Sequence, residues 1–165
     1  MIAEYQFQLA RSEAQILEYR RLRRAIFCDE QGLFAGTDED EWDRVAYPIV
    51  ALAPGSGEDV VGVVRIYEEA PGIWYGGRLG VHRAHRSHAG VGRGLVREAV
   101  TLAHGWGCRR FLALVQAANV PFFEGLAWHA LTPREVRGRP HWLMEADLAR
   151  YPPGGAARPA QEAAP

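Results

Sequence analysis

The stretch RLGVHRAHRSHAGVGRGLVREAVTLA, from Arg78 to Ala103, constrains the fold of this chain more than any other. It opens with alternating apolar residues, passes through basic residues and closely spaced glycines, and closes with apolar residues at helical spacing. A strand must therefore hand over to a helix across a tight turn. Val91, Leu95, Ala99, Leu102 and Ala103 fall on one helical face, and Gly105 or Gly107 can end the helix. Such a handover leaves backbone N–H groups unpaired at the positive end of the helix dipole, an arrangement that holds phosphate. Gly90, Gly92 and Gly94 leave room for an anion to approach the backbone, and Arg86 and Arg93 can add charge-assisted contacts. A tight turn with solvated arginines reads the same residues without a ligand. A P-loop is excluded, because no Gly-Lys-Ser/Thr follows and the chain contains no lysine. A dinucleotide fingerprint is excluded by placement, since it follows the first strand of its unit and these glycines sit in mid-chain.

The flanking sequence supplies the rest of an α+β pattern. EYQFQLA alternates as a strand, and Ser12 can cap a helix with Ile16, Leu17, Leu22, Ile26 and Phe27 on its apolar side. GLFAGTDEDEWDR, Gly32 to Arg44, reads as an acidic loop. YPIVALA and DVVGVVRIYEE are rich in β-branched residues and are joined by PGSGE as a hairpin, and GIWYGGRLGVH makes a third strand. After the glycine turn and its helix, RRFLALVQ reads as a short buried strand. NVPFFEGLAWHAL reads as a brief helix running into a strand, and RGRPHWLMEADL as the last strand. The tail YPPGGAARPAQEAAP is low in complexity and is expected to be mobile, so residues 1–150 form the domain and residues 151–165 a Pro/Ala/Gly-rich extension.

Composition narrows the function classes. At 165 residues, 48% of them hydrophobic, the chain is sized for one domain with a real core. A formal charge of -1 removes the general electrostatic argument for nucleic acid. Cys28 and Cys108 form no CxxC pair, which argues against a disulfide framework or a zinc site and fits a reducing cytoplasm. The N-terminus lacks the pattern of a secretory signal, and no apolar run reaches the roughly 18 residues of a membrane helix. The expectation is a soluble cytoplasmic protein, monomer or homodimer, with no membrane or nucleic-acid partner.

In order, β-α, a three-strand meander ending in RLGVH, a Gly-rich turn, an amphipathic helix, FLALVQ and then NVPFFEGLAW resemble the GNAT superfamily of acetyl-CoA-dependent N-acyltransferases. The resemblance extends to about Leu148. It implies the GNAT fold, with a mixed central sheet, a Gly-rich strand-to-helix turn and helices on both faces. LRRAIFCDEQGLF...D.DEWD and GRPHWLM are also similar to a bacterial branch of GNAT proteins, some of whose members are associated with nitrogen-limitation gene clusters. The family's turn carries Arg/Gln-x-x-Gly-x-Gly/Ala, whose amides hold the CoA pyrophosphate. This implies that Arg86, Ser87, Gly90, Val91, Gly92, Arg93 and Gly94 bind the cofactor, with backbone groups of Leu79, Gly80 and Val81 along the pantetheine arm. N...FFEGLAW is similar to the family's Asn...Phe-Tyr-Glu-x-Leu-Gly-Phe, which adds Asn119 and Phe123. Two positions depart from the pattern. Three residues rather than two separate Arg86 from Gly90, so strict spacing selects Ser87, and Phe123 stands where many members have a tyrosine that protonates the departing thiolate.

The resemblance implies transfer of an acetyl or short acyl group from acyl-CoA to a primary amine, by direct attack in a ternary complex. An amine of pKa near 10 is almost wholly protonated at neutral pH, so the reaction benefits from a base. His141 in GRPHW, on a late strand that borders the acceptor cleft in this fold, is the leading candidate, with Glu135 shortly before it. Glu68 and Tyr75 are further candidates, and each of these residues also has an ordinary structural reading. His82, His85 and His88 recur every third residue, yet no element converges them as metal ligands, so no metal is expected. Asp38, Glu39, Asp40, Glu41 and Asp43 around Trp42 read either as a solvated loop or as a cradle for a cationic amine. Arg20, Arg21, Arg23 and Arg24 read as a wet helix face, and Cys28 as core. Two alternatives stay open: a non-catalytic acyl-CoA-binding module, motivated by Phe123, and an enzyme like the acyl-homoserine lactone synthases, which share the fold and which RRAIF...D.DEWD also resembles.

Overall fold

The computed structural model describes residues 4–55, 58–87 and 89–161. Its seven strands form one mixed sheet in the order β1-β2-β3-β4-β5-β7-β6, where β1 is Gln6–Leu9, β2 Tyr47–Leu52, β3 Val60–Ala70, β4 Ile73–Val81, β5 Arg110–Gln116, β6 Trp128–Val136 and β7 Arg139–Ala146. The helices are α1, Glu13–Arg24, α2, Ala89–Gly105, and the short α3, Val120–Glu124. The chain forms two compact units, one from Met1–Ile66 with Arg78–Ala99, the other from Tyr67–Gly77 with Val100–Pro165.

In the first unit β1, β2 and β3 are antiparallel neighbours, with a register shift between Ala51 and Leu52. Ser12 caps α1 by accepting a hydrogen bond from the Gln15 N–H at 3.0 Å. The helix continues through a π-helical turn at Ala25–Glu30. Tyr19, Leu22, Ile26 and Phe27 pack with Val50, Leu52 and Val63 of the sheet. On the other side, a Cβ at Gly62 would lie 2.8 Å from Leu95 and 3.1 Å from Val91 of α2, beside Ala51. Val50 and Ala51 point to opposite faces of a strand, so α1 and α2 cover opposite faces of the sheet in this unit.

Three expectations for α1 and the turn that continues it are corrected. Leu17 is 50% exposed, because a residue two before Tyr19 is turned away from the buried stripe by about 200°. Arg23, read as part of a wet face, is only 1% exposed. It sits four residues after Tyr19, on the buried stripe itself. Cys28, read as core, is half-buried.

In the second unit β4 runs parallel to β5 from Ile73↔Arg110 to Gly76↔Ala113, and β7 pairs antiparallel with both β5 and β6. The β6-β7 turn places Arg137 and Gly138 at φ 49 and 76, the left-handed pair that a tight hairpin uses. Phe111, Trp128 and Phe123 form an edge-to-face series, with centroids 5.7 Å and 5.1 Å apart. Leu114 on β5 is 46% exposed, so that strand is buried less fully than its run of apolar residues suggests. The helical positions Val91, Leu95, Ala99, Leu102 and Ala103 are all buried, as their spacing predicts.

The Pro/Ala/Gly segment makes specific contacts with the rest of its unit. Gly154 donates its N–H to the Thr101 carbonyl at 2.8 Å, and Trp106 Nε1 donates to the Ala156 carbonyl at 2.8 Å. Arg158 reaches Glu68 at 3.0 Å and lies 4.8 Å from the centroid of the buried Trp74 ring. Gly105 permits this approach, because a Cβ there would come within 2.2 Å of the Gly154 carbonyl oxygen. Composition predicts a mobile tail; these contacts instead tie residues 154–158 to the second unit. Residues 162–165 lie outside the described part.

Candidate functional site

Strand β4 delivers Leu79, Gly80 and Val81 to its end, followed by a short 3-10 turn at Arg83–His85 and then by α2. Gly80 is tightly placed, since a Cβ there would lie 2.7 Å from Ile26 Cδ1. His82 Nδ1 accepts from the Ala84 N–H at 3.1 Å and so caps the 3-10 turn. His85 pairs with the Tyr5 hydroxyl at 2.8 Å, its ring edge-on to Tyr5. His88 lies outside the described residues. Among the described residues no group of three His, Cys, Asp or Glu side chains could hold a metal ion.

Helix α2 begins at Ala89, so Gly90 and Val91 fall in its first turn, where backbone N–H groups have no intrahelical acceptor, and Gly92 follows directly. The glycines differ in purpose. A Cβ at Gly90 would meet nothing within 4 Å, whereas at Gly94 it would come within 2.1 Å of the Phe7 ring. Gly94 is therefore required for packing α2 against β1. Arg93 and Ser87 are exposed. Arg86 turns back, donating from Nε to the Val81 carbonyl at 2.8 Å and pairing with Glu30.

In the second unit Asn119 is exposed at the start of α3 and its side chain caps nothing. Phe123 is 7% exposed, packed edge-on to Trp128 and Phe122. His141 is 5% exposed on β7, and its Nδ1 donates to the Arg139 carbonyl at 2.9 Å. Because a carbonyl only accepts, the proton of the neutral ring is on Nδ1 and Nε2 carries the lone pair. Its register partner on β6 is Arg134, while Glu135 pairs with Pro140 and so belongs to the opposite face.

Glu68 accepts from the Gly72 N–H at 2.9 Å and from Arg158 at 3.0 Å, and the Gly72 bond first and Arg158 second hold its carboxyl below the usual carboxylate range. Tyr75 stacks on Tyr67, with centroids 5.9 Å apart and planes 10° from parallel. Burial and then Glu69 raise its phenol above the ordinary value, so it keeps its proton through the neutral range. Cys108 is pushed up to about 12, chiefly by burial, which leaves an inert thiol.

The acidic loop proved to be structural, and sequence reasoning missed its partners. Asp38 is 2% exposed and accepts from Arg23 Nε at 2.7 Å and Arg78 Nε at 3.1 Å. Asp40 is chelated by Arg65 at 2.6 and 2.8 Å, and Asp43 accepts from Arg23 at 2.6 Å. Asp40 and Asp43 also form a capping box on a short 3-10 helix at Glu41–Arg44. Burial alone would raise both carboxyls, but the hydrogen bonds from Arg65 to Asp40 and from Arg23 to Asp43 override it and hold both below the usual range. Three aspartates thus meet three arginines and are committed to internal pairs, while Glu39 and Glu41 stay exposed.

Comparisons with known proteins agree with this architecture. Residues 15–127 match the family model described as Acetyltransferase (GNAT) family. An N-acetyltransferase of provisional assignment from Lactobacillus plantarum superposes with a TM-score of 0.75 at 21% identity, covering 86% of this chain and 97% of that one. Escherichia coli ElaA superposes at 0.73 with 23% identity, covering 88% and 100%. The CoA-dependent acyl-homoserine lactone synthase BjaI, solved with SAM and isopentyl-CoA, gives 0.69 at 20% identity, covering 87% and 82%. At these identities the likeness shows the fold. No curated protein sequence matches the chain.

Proposed function

The chain belongs to the acetyltransferase (GNAT) family, an acyltransferase family, and from that premise we propose that it transfers an acetyl or short acyl group from acyl-CoA to a primary amine. The observation that carries the reading is the handover from β4 to α2. It combines first-turn backbone N–H groups with open space at Gly90, a place where a pyrophosphate can approach. Backbone groups of Leu79–Val81 then line the pantetheine arm, Arg93 adds charge, and Arg86 contributes when its pairing with Glu30 is exchanged for phosphate. Asn119 and Phe123 are the further cofactor candidates that the family resemblance implies.

In the proposed reaction the amine nitrogen attacks the thioester carbon directly, the carbonyl π electrons move to oxygen, and their return breaks the C–S bond and releases CoA thiolate. The amine's proton passes to a base and the thiolate takes up a proton. His141 Nε2, with its lone pair fixed by the Nδ1 bond, suits the first role. Tyr75, which keeps its phenolic proton, suits the second better than it suits a base. Glu68 is a poor base because Gly72 and Arg158 occupy its carboxylate. The acceptor is a small-molecule amine, and the reading places the protein in the cytoplasm, with Cys28 and Cys108 as free thiols. Among the described residues no helix is long and apolar enough to cross a membrane.

Phe123 favours a second reading. Its ring carries no proton donor and is packed between Phe122 and Trp128 as an ordinary core side chain, which is compatible with a module that binds acyl-CoA without turnover. Thiol release from acetyl-CoA across amino acids, polyamines and amino sugars, with mass spectrometry of products, decides between the two. An N-acyl product supports transfer, binding without thiol release supports the module, and an acyl-homoserine lactone would redirect the assignment to the synthases. Calorimetry on Gly90→Glu tests the turn, because a Cβ there meets no described atom within 4 Å and the side chain sets a negative charge where the pyrophosphate would lie. Affinity should fall at least tenfold in a fully folded protein.

A further inference from the structure

We propose that Arg78 is a positioning residue for the acyl-CoA segment Leu79–Val81, held in a left-handed backbone conformation by the buried arginine–aspartate network of the first unit. The inference rests on the acyl-CoA reading given above. Arg78 has φ 53 inside β4, where strand residues are extended. A residue with a Cβ is disfavoured in that conformation and persists there only where its surroundings impose it. One left-handed residue redirects the peptides that follow it, so the orientation of the Leu79–Val81 amides depends on Arg78.

The surroundings supply the constraint. The Arg78 guanidinium donates to the Asp38 carbonyl at 2.7 Å from Nη2, to Asp38 Oδ2 at 3.1 Å from Nε, and to Asp40 at 3.4 Å from Nη2. Its carbon lies 4.3 Å from the Phe34 ring centroid, and only 14% of the side chain is exposed. The acceptors are themselves fixed, Asp38 by Arg23 and Asp40 by Arg65. Beyond Leu79, Gly80 passes close to Ile26, and Arg86 Nε holds the Val81 carbonyl. The segment is thus gripped by an arginine at each end, and the arginine–aspartate network acts on the backbone of β4.

The test compares Arg78→Ala with Arg78→Gly. Both lose the guanidinium and strain the network equally, but only glycine adopts positive φ without penalty. Arg78→Gly should bind acetyl-CoA within about threefold of the native protein, while Arg78→Ala should bind about tenfold more weakly, the scale of the left-handed penalty. Hydrogen exchange at Leu79–Val81 should be native-like in the glycine variant and faster in the alanine variant. Equal affinities and equal exchange in the two variants, whether both native-like or both impaired, would overturn the proposal. Native protein that binds no acetyl-CoA would overturn the acyl-CoA reading, and exchange at Leu79–Val81 would still decide whether Arg78 sets that backbone.

Discussion

Arg23 Nε and Asp38 Oδ2 stand 2.7 Å apart, with 1% and 3% of their side chains exposed, and so form a charge pair almost wholly withdrawn from water. Neither member can be removed cheaply, because the survivor is left charged in a poorly hydrated site. The same holds one step out at Asp43, which also accepts from Arg23.

Asp43→Asn should therefore destabilise the protein by about 2–4 kcal/mol, read from chemical denaturation at neutral pH. The pH dependence carries the sign of a depressed carboxyl. Its contribution is complete above the unfolded-state value of about 4 and is lost as pH falls through the lower folded-state value. The gap between native and Asp43→Asn stability should narrow below about pH 4, and a gap constant down to strongly acidic pH would refute the pairing.

Removing residues from Pro153 onward should lower the melting temperature by several degrees. That segment supplies the Gly154–Thr101 and Trp106–Ala156 hydrogen bonds and the Arg158–Glu68 pair, together worth about 1–3 kcal/mol. Gly105→Ala, which would drive a carbon into the Gly154 carbonyl, should reproduce most of the loss in the full-length chain. An unchanged melting curve for both would show that these contacts carry no stability.

Ala127 has φ 67 between α3 and β6, where the resembling family segment has glycine. Ala127→Gly should raise stability by about 0.5–1 kcal/mol, since relief of the left-handed penalty exceeds the added freedom of the unfolded chain. A loss of stability would mean that the methyl group is held by packing worth more than the strain.

His141→Ala should cut turnover by roughly 10²-fold while leaving acetyl-CoA affinity unchanged, if Nε2 takes the amine's proton. Unaltered turnover would remove His141 from the mechanism. Because Glu135 lies on the opposite face of the hairpin, Glu135→Gln should change turnover by less than about twofold in the same assay.

The readable parts of this molecule were those governed by local period. The strands, the Ser12 cap and the buried positions of α2 follow from spacing along a single element, and the glycine turn follows from the junction of two such patterns. What spacing could not reveal was pairing between distant segments. Arg23, Asp38, Asp40, Asp43, Arg65 and Arg78 occupy four separate elements or loops, and each looks like an ordinary surface charge in its own window. A partial signal existed for Arg23, which falls four residues after Tyr19 and three before Ile26 on the buried stripe. The tail misled for a related reason. Its anchoring uses the single buried Tyr151, hydrogen bonds to its backbone and one arginine, none of which produces apolar periodicity.

The covering of Trp74 by Arg158, with Trp106 5.8 Å away, has an optical consequence. Two indoles at that distance couple electronically, and a guanidinium over one of them shifts its emission. Release of the C-terminal segment would unmask Trp74 and detach the Ala156 carbonyl from the Trp106 N–H together. Intrinsic fluorescence and near-ultraviolet circular dichroism would then report docking of this segment in solution without any added label.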